Sequence, residues 1–318
     1  MTYDLDFEKP LADLDKRIQN LRARRDKTRT DELIRLEGEL EQQTREIYSH
    51  LSPWQRVQIA RHKNRPYTAD YIRLLFTDFF ELRGDRRFAD DRAILGGVAS
   101  FGGQTVMVIG HQKGRDTKER MESNFGMPHP EGYRKAQRLM QHAERFGFPV
   151  LAFIDTAGAA LDLDAEERGI AQAIAENLFT MTRLRTPIIA TVIGEGGSGG
   201  ALGIGVADRT LMLENSIYTV ASPEAAASIL WKDAAFAPQA AEAMKITAPD
   251  LLRLNLIDRV IPEPLGGAHR DHRAAAEAVR EAVREEISAL TAQPVDMLLS
   301  HRYARLRAIG SPEGAAIL

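Results

Sequence analysis

Thr191-Val-Ile-Gly-Glu-Gly-Gly-Ser-Gly-Gly-Ala201 is the stretch that decides how this chain is read. Five of the residues from 194 to 200 are glycine. The stretch follows an apolar strand and opens a short helix. Such glycine density lets the backbone turn tightly and lets another group approach it closely. The N–H groups exposed at the start of a helix also attract negative charge.

Three chemistries fit the string, beside the bland reading of a tight turn with no ligand. Gly194-x-Gly196-x-x-Gly199 matches the dinucleotide fingerprint, with Glu214 roughly where a ribose-binding acid would stand. Against it, only Ala201 to Asp208 precedes the next strand, and a parallel crossover usually needs about 10–12 residues or more. Gly196-x-Ser198-x-Gly200 matches the nucleophile elbow of serine hydrolases. That reading needs a base from His269, His272 or His301, with Asp258 as its orienter. The third reading is an oxyanion hole built from backbone N–H groups.

On either side of the turn, short apolar strands alternate with helices. Ala93 to Phe101 and Gln104 to His111 predict two strands joined by Gly102-Gly103, a hairpin signal. Pro149 to Ile154, Pro187 to Ile193, Arg209 to Leu213 and Ile217 to Val220 predict further strands. Helices are expected over Tyr71 to Phe79, Pro130 to Phe146 and Glu166 to Arg183, and from about 270 onward. The pattern is that of an α/β fold with strands buried on both faces.

The first 62 residues differ, being charge-rich with the single glycine Gly38. Leu11, Leu14, Ile18 and Leu21 fall on one helical stripe; Leu33, Leu36, Leu40, Ile47 and Leu51 form a second, with Thr44 filling one slot. These stripes predict an antiparallel helical hairpin, with Asp26 to Asp31 as its polar connection. It is either an arm packed on its own body or a docking surface for another chain. The expected division is a hairpin over 1–62 and the main domain over 63–318.

Across 318 residues, 42 Lys and Arg balance 45 Asp and Glu, so nothing pushes the chain toward nucleic acid or a membrane surface. There is no cysteine, which excludes disulfides and thiolate metal sites. The N-terminal stretch is acidic and lacks a signal-peptide core, and no run of about 18 apolar residues exists. A cytoplasmic location is the expectation.

Several longer strings resemble one family. They are Gly194 to Leu202, Gly110-His-Gln-Lys-Gly-Arg-Asp-Thr-Lys-Glu119, Asn124-Phe-Gly-Met-Pro128 and Pro130-Glu-Gly-Tyr-Arg-Lys135. Ala165-Glu-Glu-Arg-Gly169, Ser228-Ile-Leu-Trp-Lys232 and Leu256 to His269 agree as well. The chain resembles the bacterial acetyl-CoA carboxylase carboxyltransferase alpha subunits. The resemblance implies a crotonase-like fold, ββα units wound into a superhelix. It implies carboxyl transfer from carboxybiotin to acetyl-CoA, giving malonyl-CoA for fatty acid synthesis, and activity only with a beta subunit in an α2β2 assembly. Biotin would be presented on the biotin carboxyl carrier protein, after loading by biotin carboxylase, and would not be attached to this chain. Zinc would belong to the beta subunit. Gly199 and Gly200 would donate backbone N–H groups to the biotin oxygen, with Gly196, Gly197, Gly158 and Ala159 on the same side. Lys113, Arg115 and Lys118 would touch CoA or the partner chain. The beta subunit would serve the thioester oxygen, so no side-chain base is required here.

One loop departs from the family pattern. Asp155-Thr-Ala-Gly-Ala-Ala-Leu-Asp-Leu-Asp164 stands where the family has a loop with two more prolines, two more glycines and a tyrosine. Fewer fixed φ angles and two added carboxylates predict a less preorganised loop beside the active site.

Overall fold

The computed structural model describes residues 3–23 and 30–310. Two helices, α1 (Lys9–Ala23) and α2 (Thr30–Ser49), open the chain. Leu14 and Ile18 bury against Leu36, and Leu21, Leu33 and Leu40 close over them. Glu8 meets Tyr48 at one end and Arg22 meets Glu37 toward the other, so the helices run antiparallel. Thr44 occupies its apolar slot by donating its hydroxyl to the Leu40 carbonyl at 2.7 Å. Residues 26–29 of the expected polar connection lie outside the described residues. The hairpin is tied to the body through Glu8, which is fully buried and pairs with Arg270 as well as Tyr48.

The body continues with α3 (Pro53–Ala60), α4 (Thr68–Leu75), β1 (Thr77–Glu81), β2 (Ile94–Phe101), β3 (Gln104–His111), α5 (Thr117–Glu122) and α6 (Pro130–Phe146). Then come β4 (Val150–Thr156), α7 (Leu163–Glu167), α8 (Ile170–Arg183), β5 (Ile188–Gly197), α9 (Ser198–Leu202), β6 (Arg209–Leu213) and β7 (Ile217–Thr219). It ends with α10 (Pro223–Trp231), α11 (Ala237–Ala243), α12 (Ala248–Arg253), β8 (Arg259–Ile261), α13 (His272–Thr291) and α14 (Val295–Ala308).

The strands form one sheet in the order β1-β2-β3-β4-β5-β6-β8, with β7 joined to the end of β5. β1, β2 and β3 are antiparallel; from β3 onward the pairs are parallel. Gly102 and Gly103 both take positive φ, +58° and +86°, as a two-residue hairpin turn of the primed type requires. Alternate strand residues point to opposite faces. Val106, Val108, Leu151, Phe153 and Ile189 pack on α4 and α13; Met107, Ile109, Val150, Ala152 and Ile188 pack on α6, α8 and α12. Every residue of β4 and β5 is buried, as expected of a sheet covered on both sides.

Three boundaries differ from expectation. The helix expected to run to Phe79 stops at Leu75, and Asp78 and Phe79 belong to edge strand β1. Asp78 takes φ +54°, outside the helical range. The helix expected from Glu166 is two, α7 and α8, because Gly169 turns left-handed at φ +80°. β5 runs on to Gly197 instead of ending at Ile193. The glycines are therefore strand first and helix second.

Candidate active site

β4 and β5 lie side by side, and their C-terminal ends carry the two segments that build the site. β4 leads into Ala157-Gly158-Ala159-Ala160, and β5 leads into α9. A Cβ placed on Gly200 would lie 2.3 Å from the Gly158 carbonyl carbon and 2.5 Å from the Ala159 nitrogen. One placed on Gly197 would lie 2.1 Å from the Ala157 oxygen. The two segments thus touch backbone to backbone, and only glycine at 197 and 200 allows it. Gly196 is packed by the Tyr218 ring and, like Gly197, is buried within β5.

This contact brings peptide donors together. The Gly158 N–H goes to Thr156 Oγ1 at 3.1 Å and the Ala160 N–H to the Pro128 carbonyl at 2.9 Å. The Ala159 N–H between them has no partner among the described residues. Gly199 and Gly200 lie in the first turn of α9, where N–H groups lack intrahelical acceptors. Backbone N–H groups from two chain segments therefore lie close together, and an oxyanion hole is built from donors of this kind.

Buried polar side chains brace the turn from behind. Tyr133 donates its hydroxyl to the Gly200 carbonyl at 3.1 Å, and Asn177 donates to the carbonyls of Tyr133 and Gly203 at 3.0 and 2.8 Å. His111 accepts the Asp155 N–H through Nδ1 at 3.4 Å; burial pushes its imidazole down to about 4, so it is neutral at pH 7. Lys113 donates to Asp155 Oδ1 at 2.7 Å. Burial alone would lower the ammonium's pKa, but the Asp155 and Glu195 carboxylates hold it above the usual lysine range. Glu195 is paired in turn with Arg61, which also reaches Glu224.

A cavity of about 340 Å³ opens beside Ser198 and Gly199. Leu202, Val206, Tyr218, Leu251, Leu256, Leu306 and Ile309 make its wall largely apolar. Helix α14 supplies part of that wall, and its position is fixed by Arg302. That guanidinium, fully buried, donates to Asp208 and to the carbonyls of Met181, Leu184 and Thr186.

The nucleophile reading of Ser198 finds no base. Ser198 is exposed at φ +55°, and no histidine among the described residues bonds to it. His269 packs on His62 with ring centres 4.2 Å apart, His272 bonds the Asn64 carbonyl, and His301 bonds Gln293. Asp258, the proposed orienter, is held by Arg305. The dinucleotide reading fails as well, because α9 is five residues long and Glu214 accepts the Glu263 N–H instead.

The three candidate cations do not gather. Lys113 turns inward to Asp155, Arg115 pairs with Asp70 and lies 3.9 Å above the Tyr67 ring, and Lys118 is exposed on α5. No group of three or more His, Asp or Glu among the described residues is arranged to hold a metal ion.

Comparison with known proteins fits this geometry. The family described as acetyl co-enzyme A carboxylase carboxyltransferase-like matches residues 4–310. The chain belongs to that family. It is 57% identical over 309 residues, 96% of each chain, to acetyl-coenzyme A carboxylase carboxyl transferase subunit alpha 1 of Burkholderia thailandensis. The corresponding alpha subunit of Burkholderia cenocepacia is 56% identical with the same coverage. Among solved structures, a Pseudomonas malonate decarboxylase hetero-tetramer in complex with coenzyme A superposes with a TM-score of 0.57 at 21% identity, covering 70% of this chain and 91% of that one. The beta subunit of Pseudomonas aeruginosa geranyl-CoA carboxylase superposes at 0.54 with 16% identity, covering 84% and 48%. These likenesses concern the fold alone, which is the crotonase-like fold expected from the sequence.

In this family member the 155–164 loop has its own ties. Asp162 caps α7 by accepting the Ala165 N–H at 2.9 Å and pairs with His129 at 3.0 Å. The Ala165 N–H, with His129, holds its carboxyl below the usual range. Asp164 reaches Arg168 at 3.3 Å, and Ala160 is buried against Tyr133 and Ala165. Both carboxylates of the loop are therefore tied to neighbouring groups. The bracing roles of Asp155, Tyr133, Asn177 and Arg61 are not apparent in the sequence alone. Its one signal is a charged residue near the end of an otherwise largely apolar strand, which Asp155 is.

Proposed function

We propose that this chain is the alpha subunit of an acetyl-CoA carboxylase carboxyltransferase, moving a carboxyl group from carboxybiotin to acetyl-CoA to give malonyl-CoA. The observation that carries the reading is the backbone contact between Gly158–Ala159 and Gly200, which sets N–H donors from two segments side by side. Carboxybiotin supplies the carboxyl group and leaves negative charge on its ureido oxygen. The N–H groups of Ala159, Gly199 and Gly200 fit such an oxygen, and they are held before it arrives. Fixed dipoles of this kind need no reorganisation as charge develops. The cavity beside Gly199 has a largely apolar wall, which offers water few partners next to the donors.

The reaction develops a second oxyanion, on the thioester, and this chain has one glycine donor set. A beta subunit supplying the other is the partner that the reading requires. The biotin carrier protein would bring biotin to the site, with biotin carboxylase reloading it. Zinc would sit in the beta subunit. No helix among the described residues is long and apolar enough to cross a membrane.

The test is reconstitution. The purified chain alone is expected to form no malonyl-CoA from carboxybiotin and acetyl-CoA, and adding beta subunit is expected to restore steady turnover. Turnover by this chain without beta subunit would contradict the division of labour. No turnover with beta subunit present would contradict the assignment itself.

A further inference from the structure

β5 leaves its regular ladder with β4 at one place. Ile154 pairs with Val192, but the next pair is Thr156 with Gly196. One residue on β4, Asp155, therefore faces Ile193, Gly194 and Glu195 on β5. A bulge bends its strand and re-aims the residues beyond it. Here those residues form the glycine turn.

The extra peptide groups lose their ladder partners in a fully buried strand, so other groups must satisfy them. Two side chains do. Asp155 Oδ1 accepts the Glu195 N–H at 3.0 Å. Arg65 donates to the Ile193 carbonyl through Nε and Nη2 at 3.1 and 2.9 Å. Gly194 is required between them, because a Cβ there would lie 2.5 Å from Asp155 Oδ1. Each buried charge has a counter-charge: Glu263 for Arg65 and Lys113 for Asp155, both at 2.7 Å.

Asp155 also stands at the root of both halves of the donor site. From its place on β4 it stands three positions before Gly158, and through Glu195 it grips β5 just before α9. We infer that Asp155, with Lys113 as its counter-charge, is a positioning residue for carboxyl transfer that fixes the β5 bulge and so aims Gly199 and Gly200 at the Gly158–Ala159 peptide. This rests on the carboxyltransferase reading above. It gives Lys113 an inward role in place of a contact with CoA. Without Lys113 the buried carboxylate loses the cation that holds it at 2.7 Å and is free to shift. Such a shift weakens its hold on the Glu195 N–H.

The experiment uses the reconstituted alpha–beta enzyme with Lys113→Met, Lys113→Arg and Asp155→Asn. Assembly is followed by size exclusion, stability by Tm, and turnover by kcat and by KM for acetyl-CoA. Misplacement of a reacting group by about 1 Å costs roughly 10²-fold in rate, so Lys113→Met and Asp155→Asn are expected to lose about that much in kcat. KM for acetyl-CoA should stay within about twofold, since the lost interaction acts only on the transition state. Lys113→Arg, which keeps the charge, should recover most of the loss. Equal kcat in Lys113→Met and wild type, or equal loss in Lys113→Met and Lys113→Arg, overturns the inference. So does a loss confined to Tm or to assembly. Should Asp155→Asn fail to assemble, the two Lys113 variants decide. An inactive wild-type enzyme would sink the carboxyltransferase reading, and this inference with it.

Discussion

Gly200→Ala is expected to lower carboxyl transfer by about 10²–10³-fold, the loss seen when one oxyanion donor is removed. A methyl at this position would sit 2.3 Å from the Gly158 carbonyl carbon and 2.7 Å from its oxygen. Those neighbours are backbone, so they cannot rotate away. The loop must retreat from α9, and the spacing between the Ala159 and Gly200 donors opens. Valine at 200 would do the same with more bulk. Ser198→Ala is the paired control. It removes an exposed hydroxyl, keeps every backbone donor and leaves a non-glycine residue at the same positive φ. Its loss should stay under about tenfold, or roughly 1.4 kcal/mol of barrier. The measurement is malonyl-CoA formation by reconstituted enzyme, with assembly checked by size exclusion. A serine nucleophile would invert the two results.

Arg302→Met is expected to be strongly destabilising. The guanidinium is fully buried, and it ties α14 to Asp208 and to three carbonyls around the end of α8. Removing one partner of a buried ion pair costs about 3–5 kcal/mol, because the remaining charge is left without compensation. For a chain of this size that lowers Tm by roughly 10 °C. Asp208 also accepts the Ile188 N–H at the start of β5, so the stranded carboxylate disturbs that strand. Adding Asp208→Asn to Arg302→Met removes the stranded charge and should recover part of the loss. Thermal unfolding of the single and double variants checks this. A Tm unchanged in Arg302→Met would show that α14 is held by other contacts.

The glycine turn was legible because its signal is local. Five glycines in seven residues after an apolar strand have few physical explanations. The alternation of strands and helices was legible for the same reason, and α6 begins and ends where Pro130 and Gly147 place it. Edge strand β1 was not legible, because Phe79 continues the apolar spacing of α4 and nothing local marks the change. Choosing among the three readings of the turn needed distances. The local string allows a nucleophile elbow, and only the placement of each histidine elsewhere removes it. Lys113 and Asp155 are 42 positions apart, so their pairing is a property of the sheet and not of either motif. In sequence alone, Lys113 is one of several loop cations. The missing prolines and glycines of the 155–164 loop suggest a loosened segment. The Asp162 cap and the buried Ala160 show how the replacements hold it instead.

The most direct test of the donor assignment changes one atom. Replacing the Gly200 residue by glycolic acid turns its peptide N–H into an ester oxygen and adds no side chain. Every glycine contact with Gly158 and Ala159 is preserved, so steric effects are absent. With normal beta subunit, kcat for malonyl-CoA formation should fall by about 10²–10³-fold while the enzyme assembles as usual. A near-normal kcat would mean that the Gly200 N–H does not stabilise the developing charge, and the proposed site would be wrong.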